Sequence, residues 1–271
     1  MTNKKAGKNT QRLDKFVSSM TPYSRSDVKT LIKKSAIYVN GSVAKKPNLP
    51  VNVTEDKVEV DGQELVYEPY VYFMMHKPDG VISATEDNRW DTVIDLLPED
   101  LVLTYQPFPV GRLDKDTTGL LLITNDGQFN HALMAPKKHV EKEYAVLVDG
   151  LLSDRHIDQF EKGLDIGQGE KTKPAQLFID QVDEEAGQSL ARVVIAEGKY
   201  HQVKRMFHAV ECEVVQLHRQ RIGQLTLPDA LAEGEFVQVD YQDLYDAIFE
   251  GKSIRYNRLK IEEIKLQSYA P

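Results

Sequence analysis

The sequence predicts an α+β protein, a small N-terminal module of helices and strands followed by a larger mixed, mainly antiparallel sheet domain. Three observations predict it. Leu13, Phe16, Val17 and Met20 recur at helical spacing, which places them on one face of a helix. Short alternating segments then flank Asn40-Gly41 and Asp61-Gly62, two dipeptides suited to hairpin turns. Beyond residue 70, strand-like and helix-like segments mix without a regular βα repeat, so a doubly wound parallel sheet is not expected.

The elements follow in order. Ser26 is a candidate N-cap for a second helix with Val28, Leu31 and Ile32 on its apolar side. "SAIYVNGSVAKKPN" and "KVEVDGQELV" each read as strand, turn and strand. Residues 63–69 are expected to link the module (1–62) to the larger domain (70–249), with a basic extension at 250–271. In the larger domain "YVYFMMHKPDGVIS" reads as a strand ending in a turn, "TVIDLLPED" as a short helix and "GLLLIT" as a buried strand. "QFNHALMAP" reads as a helix, "KEYAVLVDG" as a strand, and Ser153 caps a helix through Phe160. "PAQLFID" and "LARVVIAEG" are strands, "HQVKRMFHAV" a helix, and "EVVQLHRQRIG" and "EFVQVD" further strands.

Charge narrows the class of partner. The chain carries a net charge of −8, yet residues 1–50 hold eleven Lys or Arg against two Asp. That segment is therefore strongly basic and the remainder strongly acidic, a dipolar arrangement that favours a polyanion at the N-terminal module. Arg12, Lys15, Arg25, Lys29, Lys33 and Lys34 lie mostly outside the apolar stripes and are free to meet phosphates. The single cysteine, Cys212, excludes an intramolecular disulfide and a cysteine-rich zinc site; set among apolar residues, it reads as a buried, inert thiol. No apolar run approaches the ~20 residues that span a bilayer. A soluble protein of a reducing compartment, the cytoplasm, is expected, with no membrane partner.

The tetrapeptide "RLDK" occurs twice, at 12–15 and 112–115. The second copy lies in "GRLDKDTTGLLLITNDG", which admits three readings. Asp114, Asp116, Thr118 and Gly119 match the start of a calcium loop, but position 12 is Asn125 and positions 7–10 are apolar. Asp114 to Thr118 also matches the D-x-D-x-T of haloacid dehalogenase phosphatases. That chemistry needs a strand before the first Asp, whereas here the apolar strand follows. In the third reading, Gly111 and Gly119 bracket a rigid loop that presents Asp114 as a nucleophile or as a local turn cap.

Residues further along separate these readings. "RLDKFV" and "SRSDVKTLIKKSAIYVNG" resemble the S4 RNA-binding domain. "HKPDG", "GRLDKDTTGLLLITNDG", "HVEKEYAVLVDG", "LDIGQGEKTKPAQLFI", "AEGKYHQVKRMFHAV" and "VVQLHRQRIGQLTL" resemble, in order, the motifs of the RsuA-like pseudouridine synthases. The resemblance covers about residues 10–245 and is nearest the small-subunit members, which modify 16S rRNA at a site of the position-516 type. It implies that Asp114 is the catalytic aspartate and that Arg112 assists flipping of the target uridine. It also implies that Tyr144 stacks on the uracil and that Lys204 is the basic partner of the aspartate. Lys199, His201, Arg205, Arg219 and Arg221 cluster near the implied cleft as RNA contacts, beside Arg12, Arg25, Lys29, Lys33 and Lys34 of the first module. The first motif departs from the family in carrying His76 where Asn is common.

Isomerisation of uridine loses no atom, so no cofactor and no metal are expected. Asp114 could attack C1′, attack C6 of the base, or aid C2′ deprotonation, and each route needs the base out of its stack. The expected partner is 16S rRNA or a small-subunit assembly intermediate, bound by a monomer. A synthase for 23S rRNA and a non-catalytic, RNA-binding assembly factor are the alternatives.

Overall fold

A computed structural model describes residues 10–135 and 140–254 and divides the chain into two compact units, described in turn. The first comprises the chain up to Tyr70 together with Leu97–Gln106. It contains β1 (Thr10–Arg12), α1 (Leu13–Met20), α2 (Arg25–Lys33), β2 (Ile37–Val39), β3 (Ser42–Val43), β4 (Pro50–Asn52), β5 (Val58–Val60) and β6 (Gln63–Leu65). Leu13, Phe16 and Val17 of α1 meet Val28 and Ile32 of α2 in a core completed by Ile37, Val51 and Val58 from the strands. The order β3-β2-β5-β6 forms a four-stranded antiparallel sheet, and β1 pairs with β4. Both turn dipeptides take the left-handed backbone their residues suit, with Asn40 at φ 51° and Asp61 at φ 50°.

Two expectations are corrected here. The cap of α2 is Ser24: its hydroxyl accepts from the Asp27 amide at 3.2 Å, and the Asp27 carboxylate accepts from the Ser24 amide at 2.9 Å. This reciprocal box satisfies two otherwise orphaned donors, which Ser26 would not do. Residues 63–65 pair with β5 as β6, as the strand reading of "KVEVDGQELV" has it, so they do not belong to the linker placed at 63–69.

The second unit contains β7 (Tyr72–Lys77), β8 (Phe108–Pro109), β9 (Thr117–Thr124), α4 (Gly127–Met134), β10 (Lys142–Asp149) and α5 (Asp154–Lys162). It continues with β11 (Gln176–Asp183), β12 (Gln188–Ile195), α6 (Gln202–His208), β13 (Glu213–Ile222), β14 (Leu225–Thr226), β15 (Phe236–Gln238) and α7 (Tyr241–Glu250). The helix α3 (Glu99–Tyr105) belongs to the first unit. It starts later than "TVIDLLPED" suggests, because Thr92 and Asp95 close a polar turn: the Asp95 carboxylate accepts from the Thr92 amide and hydroxyl, both at 2.8 Å.

The main sheet runs β11-β12-β10-β13-β9-β7-β15, with β14 beside β13 and β8 beside β9. All pairings are antiparallel except β13 with β9. At that parallel seam Gly119 lies opposite Arg219 at φ +107°, and a Cβ there would sit 2.3 Å from the Arg219 carbonyl oxygen. Only glycine lets the two strands approach so closely. Strand β9 is buried on both faces, as "GLLLIT" suggests, and packs Leu120 and Leu122 against Phe129 and Leu133 of α4. Cys212 is buried, and burial raises its thiol pKa. Among the described residues no helix is long and apolar enough to cross a membrane.

Candidate active site

Asp114 sits three residues before β9, on a loop stapled from two sides. Lys77, fully buried at the end of β7, donates to the carbonyls of Pro78 (2.9 Å), Lys115 (3.1 Å) and Thr117 (2.9 Å). Burial, the largest influence, lowers its pKa to about 8 against the attraction of nearby carboxylates. Ser83 clamps the other side: its hydroxyl donates to the Leu113 carbonyl and accepts from the Leu113 amide, both at 3.0 Å. One sequence segment, "HKPDGVIS", thus supplies both staples. Gly111, at φ +70°, turns the chain into this loop, where a Cβ would meet Met134 Cε at 2.7 Å.

The loop forms one wall of an open cavity of about 510 Å³ lined also by Tyr144, Lys142, Arg219 and the segment Glu197–Val203. Lys204 of α6 lies 3.3 Å from one Asp114 oxygen and 2.5 Å from Asp116, and His201 lies 3.6 Å from the other Asp114 oxygen. Burial opposes the charge on Lys204, but its hydrogen bond to Asp116 and the two carboxylates prevail and raise its pKa. His201 takes the left-handed backbone at φ 47° as it starts α6, and its ring stacks on Tyr200 at 3.8 Å. At the rim, the Lys115 ammonium sits 3.0 Å above the Trp90 ring.

Of the residues singled out by sequence, the structure brings Asp114, Tyr144, Lys204, Arg112, Lys199, His201 and Arg219 to this cavity or its wall. Arg112 is exposed, and no described carboxylate pairs with it. Lys199 donates to Glu197 at 2.6 Å. Arg205 lies behind the cavity, bound to Glu170 and to the carbonyls of Ile166, Gly167 and Tyr200. Arg221 is tied to Glu143 at 2.8 Å and to the Gly223 carbonyl. In the first unit, Arg12 pairs with the buried Asp14 at 2.7 Å, while Arg25, Lys29, Lys33 and Lys34 are exposed. His76 lies away from the cavity lining, its Nδ1 2.8 Å from the Leu231 carbonyl and its ring edge-on to His218. Most of the 250–271 extension lies outside the described residues; Lys252 is described and pairs with Asp246 and Glu250.

Lys142, Lys77 and Ser83 escaped the sequence reading. Lys142 could have been found from its spacing, two residues before Tyr144 in an alternating strand and therefore on the same face.

The model of the RNA pseudouridylate synthase family matches residues 71–209, which is half of the chain and holds Asp114, Tyr144 and Lys204. The chain belongs to this family. The S4 domain model matches residues 11–58. The synthase is 45% identical over 235 residues to an uncharacterized RNA pseudouridine synthase, YtzG, of Bacillus subtilis, covering 86% of this chain and 97% of that protein. It is 41% identical to ribosomal small subunit pseudouridine synthase A of Yersinia pestis, covering 83% and 93%. A crystal structure of a pseudouridylate synthase superposes with a TM-score of 0.59 at 34% identity, covering 86% and 98%. The synthase is therefore an isomerase that converts uridine in RNA to pseudouridine, and the phosphatase reading of Asp114 is set aside. The strand order agrees: β9 begins after Asp114, whereas the phosphatase needs a strand that ends on it.

Proposed function

We propose that this synthase isomerises a uridine of small-subunit ribosomal RNA, of the position-516 type, with Asp114 as the catalytic carboxylate and the target base flipped into the cavity. One observation carries the reading. The Asp114 carboxylate stands at the wall of a cavity with room for a flipped nucleotide, between Lys204 and His201, on a loop fixed by Lys77 and Ser83. A stacked uridine cannot reach it, so the nucleotide must leave its helix, and Tyr144 offers the flipped ring an aromatic face. The reaction breaks N1–C1′, turns the base and joins C5 to C1′. In every route the carboxylate of Asp114 must meet the nucleotide, at C1′ or C2′ of the ribose or at C6 of the base.

RNA capture is assigned to Arg112, Lys199 and His201 at the cavity and to Arg12, Arg25, Lys29, Lys33 and Lys34 in the S4 domain. Arg205 and Arg221 serve by holding their own loops. Two tethered sites raise the effective concentration of each for one RNA. The small-subunit assignment is supported by the names and coverage of the relatives, and the proposed partner is accordingly 16S rRNA or an assembly intermediate; the enzyme itself is proposed to be a cytoplasmic monomer.

Pseudouridine mapping of both ribosomal RNAs from cells lacking the protein tests this reading. One missing site in 16S rRNA is expected. A missing site in 23S rRNA would move the substrate and keep the chemistry, and unchanged maps would leave an RNA-binding assembly factor.

A further inference from the structure

Two cations at the cavity have no described carboxylate to balance them. Arg219 is 3% exposed; its Nε donates to the Leu120 carbonyl at 2.7 Å, and its Nη2 is buried without a partner. Lys142 is 7% exposed and lines the same cavity. Both belong to the sheet face that carries Tyr144: Lys142 precedes it by two on β10, and Arg219 lies opposite it on β13. The carboxylates of the lining, Asp114 and Glu197, are already engaged by Lys204 and Lys199. A buried cation without a partner is costly, so a site that keeps two is built for negative charge that arrives with the ligand.

We propose that Lys142 and Arg219 stabilise the negative charge that collects on the uracil ring when it leaves C1′. This rests on the uridine isomerisation proposed above. When N1–C1′ breaks, the electron pair stays on the ring and is shared among N1, O2 and O4. The ribose makes up its deficit by bonding Asp114 or by losing the C2′ proton. C5 then bonds C1′ as the Asp114–C1′ bond breaks or as C2′ regains its proton; the C5 proton leaves and N1 takes up a proton, so the product has the composition of the substrate. Donors aimed at O2 or O4 bind the charged ring more strongly than the neutral one, which lowers the barrier rather than KM. A backbone phosphate is the poorer occupant, because it remains joined to both neighbouring nucleotides and fits the exposed Arg112 at the rim.

The test is single-turnover tritium release from 5-tritiated uridine in 16S RNA, protein in excess, from pH 6.5 to 9. Lys142→Met is expected to lower the rate about hundredfold while filter-binding affinity for the RNA stays within about twofold. Lys142→Arg is expected to restore most of the rate and to move upward an alkaline fall that begins near pH 8 in the parent. Lys77 also titrates near pH 8, but it is present in every variant and cannot move a limb with Lys142. Arg219→Lys, which can still donate to the Leu120 carbonyl, is expected to fold and to lose rate in the same way. Melting curves confirm folding. An unchanged rate in Lys142→Met, no rescue by arginine, or a loss traced wholly to weaker and less salt-dependent RNA binding overturns the proposal. A parent protein that releases no tritium from 16S RNA overturns the small-subunit substrate proposed above instead.

Discussion

Two aspartates in identical tetrapeptides have different fates. Asp14 is buried against Arg12, whose hydrogen bond chiefly lowers its pKa, and it also accepts from the Lys15 amide at 2.9 Å. Asp114 is half-buried and faces a cavity. Asp14→Asn should therefore destabilise the first unit by about 1–3 kcal/mol, whereas Asp114→Asn should leave the urea midpoint nearly unchanged. The same midpoint measurement made as a function of pH reports on Lys77 and Lys142. Each titrates near 8 in the folded state, below the ordinary 10.5. Between those values the unfolded chain holds more protons, so stability rises with pH across that window. Lys142→Met should consequently be more stable than the parent at pH 7, by a margin of about 1.4 kcal/mol for each unit by which burial lowers the lysine's pKa, and the difference should shrink toward pH 10. That Asp114, Tyr144 and Lys204 meet at one cavity was legible because each sits in a motif. Lys142 was not, because a lysine in a strand is ordinarily solvated and its burial depends on β12 and β13, which are distant in sequence.

At the scale of elements, the parallel seam between β9 and β13 sets the distance from the Asp114 loop to Arg219. Gly119→Ala should open that seam, cost more than about 1 kcal/mol in denaturant unfolding, and lower activity beyond the loss of folded protein. Most strands were legible from their alternation and from Asn-Gly or Asp-Gly turns. The pairing of β13 with β9 was not, because it joins residues about a hundred apart and no local pattern encodes it. The helix expected from Thr92 failed for a local reason. Thr92 and Asp95 hydrogen-bond the backbone themselves, and α3 starts only after Pro98. The Ser24 cap was legible as S-x-x-D and was misread by two residues.

For the whole molecule, charge is divided along the chain, with the basic excess in the first fifty residues. In α2 and its cap that excess is exposed as Arg25, Lys29, Lys33 and Lys34. Changing Lys29, Lys33 and Lys34 together to Gln should flatten the plot of log affinity for RNA against log salt, by about 0.7–0.9 for each phosphate no longer neutralised. Single-turnover rate at saturating protein should survive, because the cavity is built from other residues. The division of charge behind that expectation was visible in composition alone. The catalytic claim was not, since it depends on Asp114, Lys204 and His201 meeting from segments some ninety residues apart. Its most direct test is tritium release from 5-tritiated uridine in 16S RNA or partially assembled small subunits, comparing the parent with Asp114→Asn. Release by the parent and none by the folded, RNA-binding variant is the predicted result; equal release by both would contradict the assignment of Asp114.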